Sequence, residues 1–256
     1  MKIGSYQFRV TGDVEHNFNS MKSGIEAAAK EGTRLLMFPE CAVTGYPPHS
    51  IKSASDVDYK ATEQIYDQFQ ALAERYQMYL VTGTIFREKA RFYNCAIVFS
   101  PDGRRSTYRK RALWGWDREN FVEGSDSGVF VVDNLKVGIR ICYEIRFPEF
   151  FRELYRSQTD LNLILFYDES DHTDSERYSI IKGHIQTRAV ENVSPILTCN
   201  TCSVFQTAPT GFFDRSGRML AVLEKEREAL LVCELEQSPL TFGEQGRKTI
   251  SDSLLK

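Results

Sequence analysis

A chain of 256 residues suffices for one large globular domain or two small ones, and 42% hydrophobic and 26% charged residues with 16 Gly and 8 Pro exclude the disordered, collagen-like and disulfide-scaffold classes. The 32 basic and 35 acidic residues are interspersed and leave a formal net charge of -3, so no long-range positive field gathers a nucleic acid. No apolar run approaches the ~18 residues of a membrane span, and MKIGSYQFRV opens as a strand without a signal-peptide core, so the expectation is a cytoplasmic protein without a membrane or nucleic-acid partner.

Ile3, Tyr6 and Phe8 alternate in a first strand, and a helix is predicted from about His16 to Glu31, ended by Gly32. The run Leu35-Leu36-Met37-Phe38 reads as a buried strand. A loop from Cys41 to about Asp58 leads to a second helix reaching about Tyr76, and Tyr79 to Phe86 reads as a strand, which makes a βαβαβ beginning. Phe92 to Ser100 and Arg104 to Lys110 flank the turn Pro101-Asp102-Gly103 as a hairpin, and Gly128 to Val132 pairs with Lys136 to Tyr143 across Asp133-Asn134. Pro148 opens a helix whose apolar stripe is Phe150, Phe151, Leu154 and Tyr155. A strand Leu161 to Tyr167, a helix near Glu176 to Glu191, a strand Pro195 to Asn200 and a hairpin around Asp214-Arg215-Ser216-Gly217 follow. No linker, repeat or low-complexity segment interrupts them, so residues 1–256 read as a single α/β domain. From about Gln237 the periodicity is weak, and the segment reads as a solvated tail or an arm onto a partner subunit.

Three polar residues stand just past predicted strand ends, where open α/β folds carry their sites: Glu40, Lys110 and Cys142. A cysteine attacks as its thiolate, which an ordinary pKa near ~8.5 leaves scarce at neutral pH. A carboxylate takes the thiol proton and returns it to a leaving amine, while a lysine stabilises the oxyanion, so the three residue types form a coherent set. Spacing does not prove that they meet, and each has a plainer reading: a small core residue, a solvated strand-end carboxylate, a surface cation.

Other signals are weaker. The basic stretch Arg104, Arg105, Arg109, Lys110 and Arg111 reads as a solvated strand face or a local site. The six cysteines Cys41, Cys95, Cys142, Cys199, Cys202 and Cys233 suit reduced thiols, and Cys199-Asn200-Thr201-Cys202 lacks the second pair a metal site needs, so it reads as the end of a buried strand. His16, His49, His172 and His184 show no metal-binding spacing, and a Cys-His enzyme using His172 or His184 is the chemical rival. The acidic loop Asp168-Glu169-Ser170-Asp171 is either solvated or attractive to a cationic amine.

The chain resembles the nitrilase superfamily in three motifs taken in order. These are Phe38-Pro39-Glu40 with Thr44-Gly45-Tyr46, Tyr108-Arg109-Lys110 with Leu113, and Gly138-Ile139-Arg140-Ile141-Cys142-Tyr143-Glu144 leading into Arg146-Phe147-Pro148-Glu149. Tyr93-Asn94, Arg188-Ala189-Val190-Glu191-Asn192 and Asp214-Arg215-Ser216-Gly217 extend the resemblance nearly end to end. It implies a four-layer αββα sandwich, usually paired as a homodimer or higher homo-oligomer. It further implies Glu40 as general base and acid, Lys110 as the oxyanion cation, Cys142 as nucleophile and the Tyr143 backbone N–H as a second oxyanion donor. Many relatives carry a further glutamate that counting back from Phe121 and Gly124 places at Asp117, a methylene shorter, with Glu119 as the alternative. Ala112 departs from a frequent histidine. Tyr46 is expected at the substrate pocket, and Trp114 and Trp116 either line it or cover the core. The implied activity needs no metal or organic cofactor: hydrolysis of a small-molecule amide, an ω-amide by the Arg146-Phe147-Pro148-Glu149 motif, through a thioester. N-carbamoyl or nitrile hydrolysis by the same triad is one alternative, and a non-catalytic binding protein retaining the fold is another.

Overall fold

The structure is a computed structural model that describes residues 1–255. Strand β1 (Lys2–Gln7), helix α1 (Val14–Lys30), strand β2 (Leu35–Met37), helix α2 (Tyr59–Tyr76) and strand β3 (Tyr79–Glu88) form the expected βαβαβ unit, with β1, β2 and β3 mutually parallel. Asp13 caps α1 by accepting from the His16 N–H at 3.0 Å, and Asp58 caps α2 through Ala61 N–H at 2.9 Å. Gly32 follows α1 with a φ of 71°, the left-handed conformation that ends a helix without steric cost.

Strands β4 (Arg91–Phe99) and β5 (Arg105–Arg109) extend this sheet by antiparallel hairpins. Because β5 opposes β4 and β4 opposes β3, β5 runs with the parallel strands, and its end lies at their carboxyl edge. A short helix α3 (Trp116–Asn120) follows, then the hairpin β6 (Val129–Val132) and β7 (Leu135–Ile141). The second half repeats the alternation: helix α4 (Pro148–Arg156), strand β8 (Leu161–Leu165), helix α5 (Ser175–Asn192) and strand β9 (Ile196–Cys199), with β7, β8 and β9 parallel. Strands β10 (Gly211–Phe213) and β11 (Met219–Val222) make the late hairpin. Strand β12 (Ala229–Glu234) then crosses back to pair antiparallel with β1.

The result is two six-stranded sheets, ordered β12-β1-β2-β3-β4-β5 and β11-β10-β9-β8-β7-β6. Their inner faces meet through Ile3, Met37 and Val81 from one sheet and Ile139, Leu163 and Leu197 from the other. Phe18, Met21 and Phe69 seal α1 and α2 onto the first sheet, while Phe151, Leu154, Ile181 and Ile185 seal α4 and α5 onto the second. This is the four-layer αββα sandwich.

The segment after Gln237 is not an extended tail. Residues Phe242–Leu254 form helix α6, started by a capping box in which Thr241 accepts from the Glu244 N–H and Glu244 accepts from the Thr241 N–H at 2.9 Å. It docks on the chain's own α4, where the Tyr155 hydroxyl donates to Asp252 at 2.6 Å and to Lys248 O at 3.1 Å. In the basic stretch Arg104 and Arg105 are exposed, as a solvated strand face requires, and Arg104, Arg105, Arg109 and Arg111 pair with Asp102, Asp67, Asp126 and Glu153.

Candidate active site

The chain leaves β2 through Pro39 and turns back over β3. Gly83 N–H donates to Pro39 O at 3.1 Å and Val43 N–H to Gly83 O at 3.1 Å. Gly83 is required by close approach: a Cβ there would lie 2.4 Å from both Cys41 N and Pro39 O. The turn carries Glu40 inward, and the Glu40 N–H is held by Phe166 O of the second sheet at 3.2 Å.

Buried Glu40 is saturated with donors. Its Oε1 accepts from Lys110 Nζ at 2.8 Å and Asn94 Nδ2 at 2.7 Å, and its Oε2 accepts from the Tyr167 N–H at 2.9 Å. Lys110, 1% exposed, follows β5, with its N–H on Asn94 O at 2.8 Å and its carbonyl accepting from Gly124 N–H at 2.9 Å. Its ammonium also donates to Asp117 Oδ2 at 2.7 Å, and Tyr46 donates its hydroxyl to Asp117 Oδ1 at 2.9 Å. Asp117 is thus a second carboxylate on the Lys110 ammonium. Glu119, two residues along α3, is exposed and has no polar partner among the described residues.

Cys142 ends β7 and begins a 3-10 turn, Cys142–Arg146, with a φ of 44°. A left-handed conformation is uncommon for a residue with a side chain, and it lifts the thiol out of the strand at the sheet edge. The residue is half-buried. Burial, and then the charges of Glu40 and Asp168, push its thiol well above the usual range, while Lys110 pulls it down. Burial also raises Glu40, with Asp117 adding to the rise and Lys110 opposing it. For Lys110 the burial cost, which lowers it, is outweighed by Asp117 and Glu40 together, so the lysine is raised and stays protonated. The thiol, the ammonium and both carboxylates thus share one electrostatic neighbourhood.

An aromatic group borders this cluster. Tyr46 stacks on Tyr167 with centroids 5.2 Å apart, His49 lies 6.1 Å from Tyr46, and Trp116 meets His49 edge-on at 5.3 Å. Tyr46 is thus tied to the cluster itself through Asp117, besides facing these rings. Neither tryptophan covers the core: Trp116 is 51% exposed, and Trp114, 67% exposed, is met by the Arg118 guanidinium 5.8 Å from its ring. Tyr143 follows Cys142 in the turn, with its ring edge-on to Phe147 at 5.3 Å.

The acidic loop is largely neutralised. Asp168 is buried and accepts from Arg177 at 2.5 Å and from Thr207 Oγ1 at 2.7 Å, and Glu169 pairs with Arg9 at 2.6 Å. A cation gains little from that pair of carboxylates. Asn94 and the Tyr167 N–H had no assigned role in the sequence reading. The signal for Asn94 was a polar residue inside the apolar strand Tyr93 to Phe99; a backbone N–H leaves no signal.

The model of the family described as carbon-nitrogen hydrolase matches residues 2–241. A probable nitrilase of Schizosaccharomyces pombe is 25% identical over 86% of this chain and 82% of its own length. An omega-amidase of Xenopus tropicalis is 29% identical over 58% of this chain and 56% of its own length, so the match spans little more than half of either protein. Among solved structures, a mutant of the amidase from Nesterenkonia sp. AN1, with acrylamide added at its active site cysteine, superposes over 100% of both chains with a TM-score of 0.82 at 21% identity. That likeness is one of fold.

Proposed function

Because this chain belongs to the carbon-nitrogen hydrolase family, we propose that it is an amidase that hydrolyses a small linear amide through Cys142, with Glu40 and Lys110 as catalytic partners. The observation that carries the reading is the buried arrangement in which Lys110 Nζ bridges Glu40 at 2.8 Å and Asp117 at 2.7 Å, with its charge felt by the Cys142 thiol.

The raised thiol is protonated before substrate arrives, so proton removal must accompany attack. Glu40 takes the thiol proton as the sulfur–carbon bond forms, and Lys110 and the Tyr143 backbone N–H receive the developing oxyanion. Glu40 then returns the proton to nitrogen, the carbon–nitrogen bond breaks, and ammonia or an amine leaves a thioester on Cys142. Water attacks the thioester while Glu40 takes its proton. Collapse breaks the carbon–sulfur bond and releases the carboxylic acid, which gives its proton to solvent, while Glu40 returns its own proton to the sulfur. Asp117 holds Lys110 on its second side and stays out of the proton transfers.

An ω-amide of a dicarboxylate is the favoured substrate, supported by the Arg146-Phe147-Pro148-Glu149 motif and by the similarity to an omega-amidase. The same reading places the enzyme in the cytosol as a homodimer. It is supported by six free cysteines, which suit a reducing compartment, and by exposed Ile180, Ile250 and Leu254 on α5 and α6, which a second copy would cover. A panel of ω-amides, N-carbamoyl amines and nitriles, assayed for ammonia release, tests the activity. Turnover of ω-amides, abolished in a folded Cys142→Ala variant, supports the reading; turnover of nitriles alone, or full amidase activity in that variant, overturns it.

A further inference from the structure

Glu144 is fully buried two residues beyond Cys142, and its carboxylate receives three donors. One oxygen takes the Tyr108 hydroxyl at 2.6 Å and the Arg111 N–H at 2.8 Å, and the other takes the Ile141 N–H at 2.7 Å. Arg111 is the residue after Lys110, at the end of β5 in the first sheet. Ile141 is the residue before Cys142, at the end of β7 in the second. We propose that Glu144 is a positioning residue that ties the backbones flanking Cys142 and Lys110 to one rigid carboxylate and so sets the reach between thiol and ammonium. The proposal rests on the roles given above to those two residues.

No ladder joins β5 to β7, because β5 is the edge strand of its sheet and β7 belongs to the other. Apolar faces packed against each other fix a separation well and a register less well. Three directional bonds to one charged acceptor fix both. The positive φ of Cys142 adds to the need, since a turn so conformed persists only when its surroundings hold it. The bond from Ile141 N–H to Glu144 closes that turn.

The carboxylate makes no salt bridge among the described residues; the Arg111 guanidinium acts on it from a longer range, and its direct contacts are the three hydrogen bonds. Space filling would not select a buried charge, whose desolvation is costly unless its bonds are well made. Tyr108 is suited to its part. It is fully buried between the sheets, and burial followed by the Glu144 charge holds its hydroxyl well above the usual phenol range, so it remains a donor.

The test compares the parent enzyme with Glu144→Gln and Tyr108→Phe. It reads kcat and KM on an amide substrate and the rate of Cys142 alkylation by iodoacetamide across pH, with folding checked by circular dichroism. The charged groups acting on the thiol are Glu40, Asp168, Lys110 and Asp117. If Glu144 holds Lys110 to Cys142, folded Glu144→Gln loses about 10- to 100-fold in kcat with KM changed less than about threefold, as misplacement of reacting groups predicts. Its alkylation profile moves to higher pH because the ammonium no longer faces the thiol. Tyr108→Phe shifts both readouts in the same direction by less, and it decides the matter should Glu144→Gln not fold. Kcat and an alkylation profile within about twofold of the parent in a folded variant, or a loss confined to KM, overturn the proposal. Absence of any acyl adduct on the parent's Cys142 would instead sink the hydrolase reading, and the alkylation profiles would still decide the role of Glu144.

Discussion

Lys110 and Asp117 form a 2.7 Å ion pair in which the side chains are 1% and 4% exposed, and only seven residues of chain separate them. Removing Asp117 leaves Lys110 paired with Glu40 but takes away the second acceptor of the ammonium and the acceptor of the Tyr46 hydroxyl. Asp117→Ala is expected to cost about 1–3 kcal/mol of unfolding free energy, read from urea denaturation. Asp117→Asn keeps the shape and the acceptor oxygen, so it folds with a smaller loss while kcat falls about tenfold or more through a displaced ammonium. Unchanged kcat in Asp117→Asn would remove Asp117 from the site.

On the proposed mechanism Glu40 sets the acid limb of activity. Its carboxyl is raised above an ordinary value of 4.5, chiefly by burial, and the base form is the ionised one. Activity should therefore rise with pH through a midpoint above that of a solvated glutamate, as kcat/KM profiles between pH 4 and 8 would read. Glu40→Gln keeps acceptor capacity toward Lys110, yet it cannot carry the proton; kcat drops by about 10²–10⁴ and the acid limb disappears.

Stability should decline on the alkaline side. Lys110 is raised above 10.5, Tyr46, Tyr66 and Tyr108 above 10.0, and Cys41, Cys95 and Cys199 above 9.0, burial being the first cause for each tyrosine and cysteine. For Lys110, Asp117 and Glu40 together overcome the opposing effect of burial. Each group keeps in the folded state a proton that the unfolded chain releases, so the unfolded state binds fewer protons and stability falls as pH rises above those ordinary values. Lys110 contributes its full stabilisation below 10.5 and loses it through its higher folded-state value. Urea midpoints at pH 8, 9, 10 and 11 should fall progressively, and a flat series would contradict the burial described.

Gly83 gives a test of how Glu40 is placed. The atoms a Cβ would meet are backbone atoms of Pro39, Glu40 and Cys41, none at the far end of a flexible side chain. Gly83→Ala is expected to cost about 1–3 kcal/mol and to lower kcat by displacing the turn that carries the carboxylate. Stability and rate both unchanged would mean that the turn yields freely.

Most elements were legible, and so was the placing of Glu40, Lys110 and Cys142 just past strand ends, because parallel buried strands write continuous apolar runs. The parts that escaped share a physical cause. Strand β12 has one half-exposed face and is defined by pairing with β1, from Lys2 opposite Glu234 to Gln7 opposite Ala229, a relation local pattern does not carry. Helix α6 buries little besides Glu244 and contains Gly243 and Gly246, so its periodicity is faint, although Thr241 and Glu244 spelled its capping box. Which of Asp117 and Glu119 meets Lys110 depends on a five-residue helix that follows Gly115, with a φ of 53°, and periodicity over so short a helix is silent.

The pairing of the first strand with the last also governs when reactivity is born. A growing polypeptide releases Glu40, Lys110 and Asp117 well before Cys142, and the first sheet gains its β12 edge only after residue 234. Glu40 and Lys110, which follow strands of one sheet, and Cys142, which follows a strand of the other, face each other only once both sheets have docked. A nascent chain that has just passed Cys142 therefore carries all of these residues unassembled, and on the proposed mechanism the appearance of hydrolysis during refolding would time the closing of the whole molecule.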